Sequence, residues 1–144
     1  MNDTEPNAAI AAIAKPLPSI DEANKPFWDG LKQSKLLLQT CKTCRTARFP
    51  VSKYCSFCLS DQSDWKECSG EGVVESFCIF HKAYWPGFAS EIPYAVVQVR
   101  IDDGVRFFSN LVGTPVDQIQ IGMRVKPLYS PLNLDITLLK FEKI

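Results

Sequence analysis

The chain has 144 residues, 46% of them apolar, enough to bury one substantial core with a small satellite module but not two full domains. Sixteen basic residues balance sixteen acidic ones, so no global field draws the protein towards nucleic acid or an anionic membrane, and any anion site must be local. The apolar run from Ala8 to Ala14 is too short to span a bilayer, and Asp3 and Glu5 stand where an export signal would carry positive charge. A soluble cytoplasmic protein is expected, in which the six cysteines read as metal ligands rather than disulfides.

Residues 1–18 show no periodicity beyond that Ala/Ile run and are expected to form an arm that orders only against a partner. From Ser19 the pattern changes. Ser19, Asp21 and Asn24 are candidate N-caps, Pro26 suits a first helical turn, and Phe27, Trp28 and Leu31 stand at near-helical spacing, predicting a helix that ends between Lys32 and Ser34. "KLLLQT" reads as a strand running into Cys41. Gly70-Glu71-Gly72 is too short for a phosphate-binding fingerprint and marks a bend entering a β region.

There "VVESFCIFH" and "YAVVQVRI" read as strands, the second placing Ala95, Val97, Val99 and Ile101 on one face. Asp102-Asp103-Gly104 supplies a turn, with solvated carboxylates, and "VRFFSNLV" returns as the hairpin partner. A helical turn opens at Thr114 and Pro115, before two further strands in "IGMRVKPLYS" and "ITLLKFEKI". Five strands with a helical insertion before the fourth suggest an OB-like Greek-key barrel, with an SH3-like barrel as the competitor. The fold class is mainly β: an N-terminal helix and a zinc ribbon, then a five-stranded OB-fold barrel. The expected units are the arm (1–18), helix plus ribbon (19–68) and barrel (69–144).

The segment "CKTCRTARFPVSKYCSFC" holds two C-x-x-C pairs, Cys41/Cys44 and Cys55/Cys58. Two such knuckles bring four thiolates to the corners of a tetrahedron, which suits one structural Zn²⁺ and leaves no open position for water. A thioredoxin-like redox pair is the weaker reading, since one pair would suffice and no βαβ pattern surrounds it. Cys68 and Cys78 are read as small buried hydrophobes, Cys78 in mid-strand. Lys42, Arg45, Arg48 and Lys53 form a basic patch with no acid between residues 41 and 60, able to meet phosphates or simply solvated. Tyr84, Trp85 and Phe88 share one Pro-Gly loop and call for a ligand or partner to cover them. His81, the single histidine, lacks a nucleophile and orienting carboxylate at recognisable spacing.

The order of "FWDGL", the first C-x-x-C, "RFP", the second C-x-x-C with Ser60 and Trp65, "SGEGVVESF", "PYAVVQVRIDDGVRFFSNL" and "IGMRV" resembles the DUF35 family from about residue 20 onward. The family's usual glycine after the first knuckle is Arg45 here, and its usual Pro-Arg after "FP" is Val51-Ser52, with Lys53 the nearest base. The resemblance implies a non-catalytic accessory subunit with structural zinc on Cys41, Cys44, Cys55 and Cys58. It would dock on a thiolase-fold catalytic subunit, as a heterotetramer, and help shape the channel for an acyl-CoA such as a steroid-type or aromatic one undergoing thiolase or aldolase chemistry. Phe27, Trp28, Arg45, Arg48, Lys53, Tyr84, Trp85 and Phe88 are the candidate CoA or partner contacts. The alternative is an OB-fold that stacks single-stranded nucleic acid on the aromatic loop, which the neutral net charge disfavours. A hydrolase using His81 is the third reading.

Overall fold

The computed structural model describes residues 15–144, so most of the expected arm lies outside the described residues. Helix α1, Lys25–Lys32, starts where Asp21 and Asn24 each accept a hydrogen bond from the other's backbone N–H, both at 2.8 Å. Asn24 therefore braces the turn before the helix and makes no side-chain cap within it. The helix buries Phe27, Gly30 and Leu31 and ends in a tight C-terminal motif. Ser34 takes a positive φ of 57°, and the Lys35 N–H returns to the Gly30 carbonyl at 2.9 Å.

The chain then enters a three-stranded sheet. Strand β1 (Leu36–Cys41) lies between β2 (Ala47–Arg48) and β3 (Ser63–Cys68), antiparallel to both. Leu36 and Leu38 belong to the same apolar cluster as Phe27 and Leu31 of the helix and Val74, Val97, Phe107 and Phe141 beyond it. The small sheet is thus anchored in the main core through the start of β1, with Cys41 at the far end of that strand.

The predicted bend is a point of close contact. Gly70 takes φ 72°, and a Cβ there would lie 2.4 Å from Pro127 Cγ; one on Gly72 would lie 2.3 Å from the Arg100 carbonyl oxygen. Backbone cannot yield at the second site, so only glycine fits.

Five strands follow: β4 (Gly72–Phe80), β5 (Tyr94–Ile101), β6 (Arg106–Val112), β7 (Arg124–Pro131) and β8 (Thr137–Lys143). They close a barrel in the order β4-β5-β6-β8-β7. Only β6 and β8 pair in parallel, with Leu111 opposite Phe141. That pair distinguishes the OB arrangement from an antiparallel SH3-like meander. A short 3-10 turn, Val116–Gln118, precedes β7 as the sequence suggests. Ala95, Val97, Val99 and Ile101 are all buried, as the alternation of β5 requires.

Strand β4 departs from simple alternation. A bulge between Val74 and Ser76 shifts its register against β5. Beyond it Phe77 and Ile79 pack on the core, and Cys78 faces outward. The expectation of a buried Cys78 is therefore corrected: one extra residue reverses which side chains face inward. Glu75, at the bulge, accepts hydrogen bonds at 2.7 Å from both Arg100 and Arg106. The β5–β6 turn also differs from expectation, because Asp102 is held by Arg124 through bonds of 2.8 and 3.0 Å. No helix among the described residues is long and apolar enough to cross a membrane.

Candidate metal centre and surrounding surfaces

Strand β1 delivers Cys41 to the end of the small sheet, and the chain turns at once through Cys44. A second turn, Cys55 to Cys58, lies opposite. The two share one hydrogen-bond pattern. The Arg45 N–H donates to the Cys41 carbonyl (3.0 Å) and the Cys41 N–H to the Thr46 carbonyl (3.0 Å); Leu59 to Cys55 (2.9 Å) and Cys55 to Ser60 (2.8 Å) repeat it. Each knuckle also aims backbone N–H groups at sulfur, with Cys44 N 3.5 Å from Cys41 Sγ and Phe57 N 3.4 Å from Cys55 Sγ.

Closing such a turn requires left-handed backbone after the second cysteine. Arg45 takes φ 61° and Leu59 φ 65°. The glycine that the resemblance leads one to expect at position 45 would adopt that conformation without strain.

The four sulfurs lie within 4.8 Å of one another, with Cys41 Sγ 3.5 Å from Cys58 Sγ and Cys44 Sγ 3.6 Å from Cys55 Sγ. A tetrahedral ion with Zn–S bonds of about 2.3 Å separates its sulfurs by about 3.8 Å. The donor set therefore fits zinc in number, chemistry and spacing. Cys41 and Cys55 are buried, while Cys44 and Cys58 lie nearer solvent. The Cys44 backbone N–H does most to lower the Cys41 thiol, to about 6, and the Cys58 backbone N–H does most to lower Cys55. Cys58 accepts from the Ser60 N–H but is pushed up to about 11 by desolvation and the neighbouring sulfurs. Oriented N–H dipoles thus already favour thiolate at the two inner positions.

The loop between the knuckles hangs on a residue that sequence reasoning passed over. Gln39, buried on β1, accepts from Arg48 Nε and the Ser52 N–H, both at 3.0 Å, and donates to the Ser52 carbonyl at 3.0 Å. Arg48 itself is buried and donates from Nη2 to the Ser52 carbonyl at 3.0 Å. A glutamine next to a basic residue across a two-stranded ladder carries no distinctive sequence signal, so only the Gln39–Arg48 register exposes the pair.

The other candidate contacts fall in three separate places. Phe27 is core, edge-on to Trp28 at 5.3 Å, and Trp28 lines a cleft of about 280 Å³ with Phe49, Phe107, Phe108 and Leu139. Phe108 is 76% exposed there; its position on the outer face of β6 is what sequence reading missed. At the aromatic loop, Tyr84 and Trp85 are exposed, while Phe88 packs on Tyr94 at 5.4 Å beneath the Lys15 ammonium. Arg45 and Lys53 remain on the ribbon surface. Arg45 borders a cleft of about 300 Å³ with Thr40, Lys66, Glu67 and Asp103, and Lys53 lies over the Tyr54 ring at 5.4 Å. Cys68 is half-buried, its thiol pushed up to about 11 by that burial, and His81 is exposed just past β4.

Residues 28–64 match a rubredoxin-like zinc ribbon domain and residues 65–129 a C-terminal OB-fold domain, both described for ChsH2. A probable enoyl-CoA hydratase alpha subunit of Thermomonospora curvata is 36% identical over 122 residues, 85% of this chain but 38% of that protein. The chain therefore spans little more than a third of that relative. A DUF35 domain-containing scaffold protein of Methanocaldococcus jannaschii is 26% identical over 75% of this chain and 77% of its own length. Among solved structures, a chain of the Ltp2–ChsH2(DUF35) aldolase superposes with a TM-score of 0.80 at 35% identity, covering 88% of this chain and 98% of that one. With both domain matches in tandem and that likeness along almost the whole aldolase chain, the protein belongs to the DUF35 family, in its ChsH2 form of zinc ribbon followed by OB-fold.

Proposed function

We propose that the chain is a zinc-stapled, non-catalytic subunit of an acyl-CoA enzyme, acting beside a thiolase-fold partner that carries out the reaction. The likeness to the DUF35 chain of the Ltp2–ChsH2 aldolase carries this reading, because it is a comparison in which both chains are matched along nearly all their length. The hydratase relative is matched over a minor part of its own length, so aldolase-type carbon–carbon chemistry is the better guide than hydration.

Cys41, Cys44, Cys55 and Cys58 would hold one structural Zn²⁺. Four thiolate donors complete its coordination, so bound zinc supplies a cross-link between the knuckles rather than an activated water. The protein's own residues do the rest. The ribbon is tied to the barrel through Leu36 and Leu38, so a load on one unit is transmitted to the other. Trp28, with Phe49 and Phe108, offers an apolar wall to an acyl chain or to the partner. Tyr84 and Trp85 would form a second contact at the aromatic loop, and Arg45 and Lys53, exposed on the ribbon, would meet the phosphates of CoA. Arg48, committed to Gln39 and Ser52, positions the loop instead. Residues 1–18 add docking surface, and a heterotetramer in the cytoplasm is the expected assembly.

Co-expression with the Ltp2-type subunit of the source organism tests the proposal. A stable complex containing about one zinc per DUF35 chain is expected, with acyl-CoA turnover dependent on both chains. A monodisperse, fully active Ltp2-type subunit that never binds this chain would sink it.

A further inference from the structure

The two knuckles share a backbone and differ in what they show to solvent. The first carries Lys42, Thr43 and Arg45. The second carries Phe57 and Leu59, with Tyr54 just before it. Phe57 is 79% exposed and Leu59 75%, and neither belongs to the apolar core. Leu59 combines two unfavourable features: left-handed backbone, which crowds its Cβ, and an apolar side chain in water. Arg45 has the same backbone, but its side chain is at home in solvent. Folding explains the turn at Leu59 and not the leucine.

We propose that the second knuckle is a docking knob, with Phe57 and Leu59 entering an apolar socket on the catalytic partner subunit. This rests on the accessory-subunit reading and adds where the contact is made. The knob is rigid before contact, since the Cys55–Ser60 and Leu59–Cys55 backbone bonds pin it and Thr43 Oγ1 meets Ser60 Oγ at 3.0 Å. Little conformational freedom is lost when such a loop docks.

Charge selects the occupant. Lys53 borders the knob and Arg45 stands on the hydrogen-bonded neighbour knuckle, neither of them ion-paired among the described residues, whereas Lys42 is paired with Asp64 at 3.5 Å and Asp61 follows the knob. A second copy meeting this face through the same face would crowd the unpaired Arg45 and Lys53 of both copies together, with Asp61 as the free carboxylate beside them. An anionic bilayer gains little from a chain of zero net charge. A protein socket edged with carboxylates satisfies both the apolar tip and its basic border.

The test measures binding of zinc-loaded, full-length chain to the purified Ltp2-type subunit by calorimetry, for wild type, Phe57→Ser and Leu59→Gly. Phe57→Ser should weaken binding about 30-fold or more, the loss typical of a central interface anchor. Leu59→Gly should weaken binding while raising the melting temperature, because glycine relieves the backbone strain as it removes the side chain. A merely structural Leu59 would not move the two readings in opposite directions. Unchanged binding by both variants overturns the knob and leaves the accessory role standing, whereas wild type that does not bind overturns both. Retention of wild type on phosphatidylserine vesicles, or its self-association, lost in the variants while subunit binding is unchanged, overturns the proposal in favour of a bilayer or a second copy.

Discussion

The ribbon and the barrel reach order by different physics. Between residues 41 and 63 the buried apolar side chains are Cys41 and Cys55, both members of the four-cysteine cluster. The barrel instead buries Val74, Val97, Val99, Ile101, Phe107, Val125 and Phe141. A fully buried side chain of that size contributes about 1.5–3 kcal/mol, so the barrel rests on many small terms and the ribbon on one large one. Where a chain segment is too short and polar to make a core, a single coordination site replaces it.

Removing the metal should separate the two regions most sharply. Apparent zinc affinities in comparable modules amount to about 10–16 kcal/mol, far more than any side chain of the ribbon supplies. Chelation, or Cys41→Ser, should abolish the ribbon's NMR dispersion and drive the protein to an insoluble or molten state. Metal-free protein that stays soluble and native-like would show that the cysteines are not the staple.

In the barrel the largest single loss should come from Phe141→Ala. Phe141 is fully buried on β8 and faces Phe107 with ring centroids 6.5 Å apart, and truncating such a residue costs about 3–5 kcal/mol. Urea denaturation with zinc present measures it. A loss under about 1 kcal/mol, the scale of a single surface contact, would mean that the barrel core is not where its stability lies.

Arg45→Gly sharpens the comparison from the other side, because there the ribbon carries strain. Glycine at φ 61° should stabilise the metal-loaded protein by roughly 1 kcal/mol. A decrease would indicate that the guanidinium itself holds the knuckle.

The smallest effect concerns the carboxylates at the barrel surface. Hydrogen bonds from Arg106 and Arg100 lower the Glu75 carboxyl, and those from Arg124 lower Asp102. Their folded values lie below their unfolded ones, so the contribution is complete above the ordinary carboxylate range and is lost as pH falls through the folded values. Arg124→Gln should therefore flatten the acid-side decline in melting temperature relative to wild type, slightly, since the pair is exposed. An identical acid limb in both proteins would remove Asp102 from the account.

Much of this was legible along the chain because the information was local. The C-x-x-C pairs carry their own turn geometry, the β5 alternation assigns its own faces, and Gly70 and Gly72 announce a bend. Cys78 was misread because a bulge at Glu75 is decided by pairing with β5, and nothing near Cys78 reports it. Arg48 looked like one more surface cation because burial depends on Gln39 facing it across the ladder. Phe49 and Phe108 are far apart in sequence, and only packing around Phe27 and Phe107 brings them to one cleft.

By itself, then, the sequence determined the four-cysteine cluster, the five barrel strands and the order of ribbon before barrel, since spacing and periodicity act over a few residues at a time, but not β2 and β3, which form only by pairing with β1. The tertiary structure decided which cations remain in water, which face of β4 turns inward beyond its bulge, and that one knuckle presents charge while its twin presents Phe57 and Leu59. Those outcomes depend on register and burial between segments distant in the chain, where no short stretch of residues carries the answer.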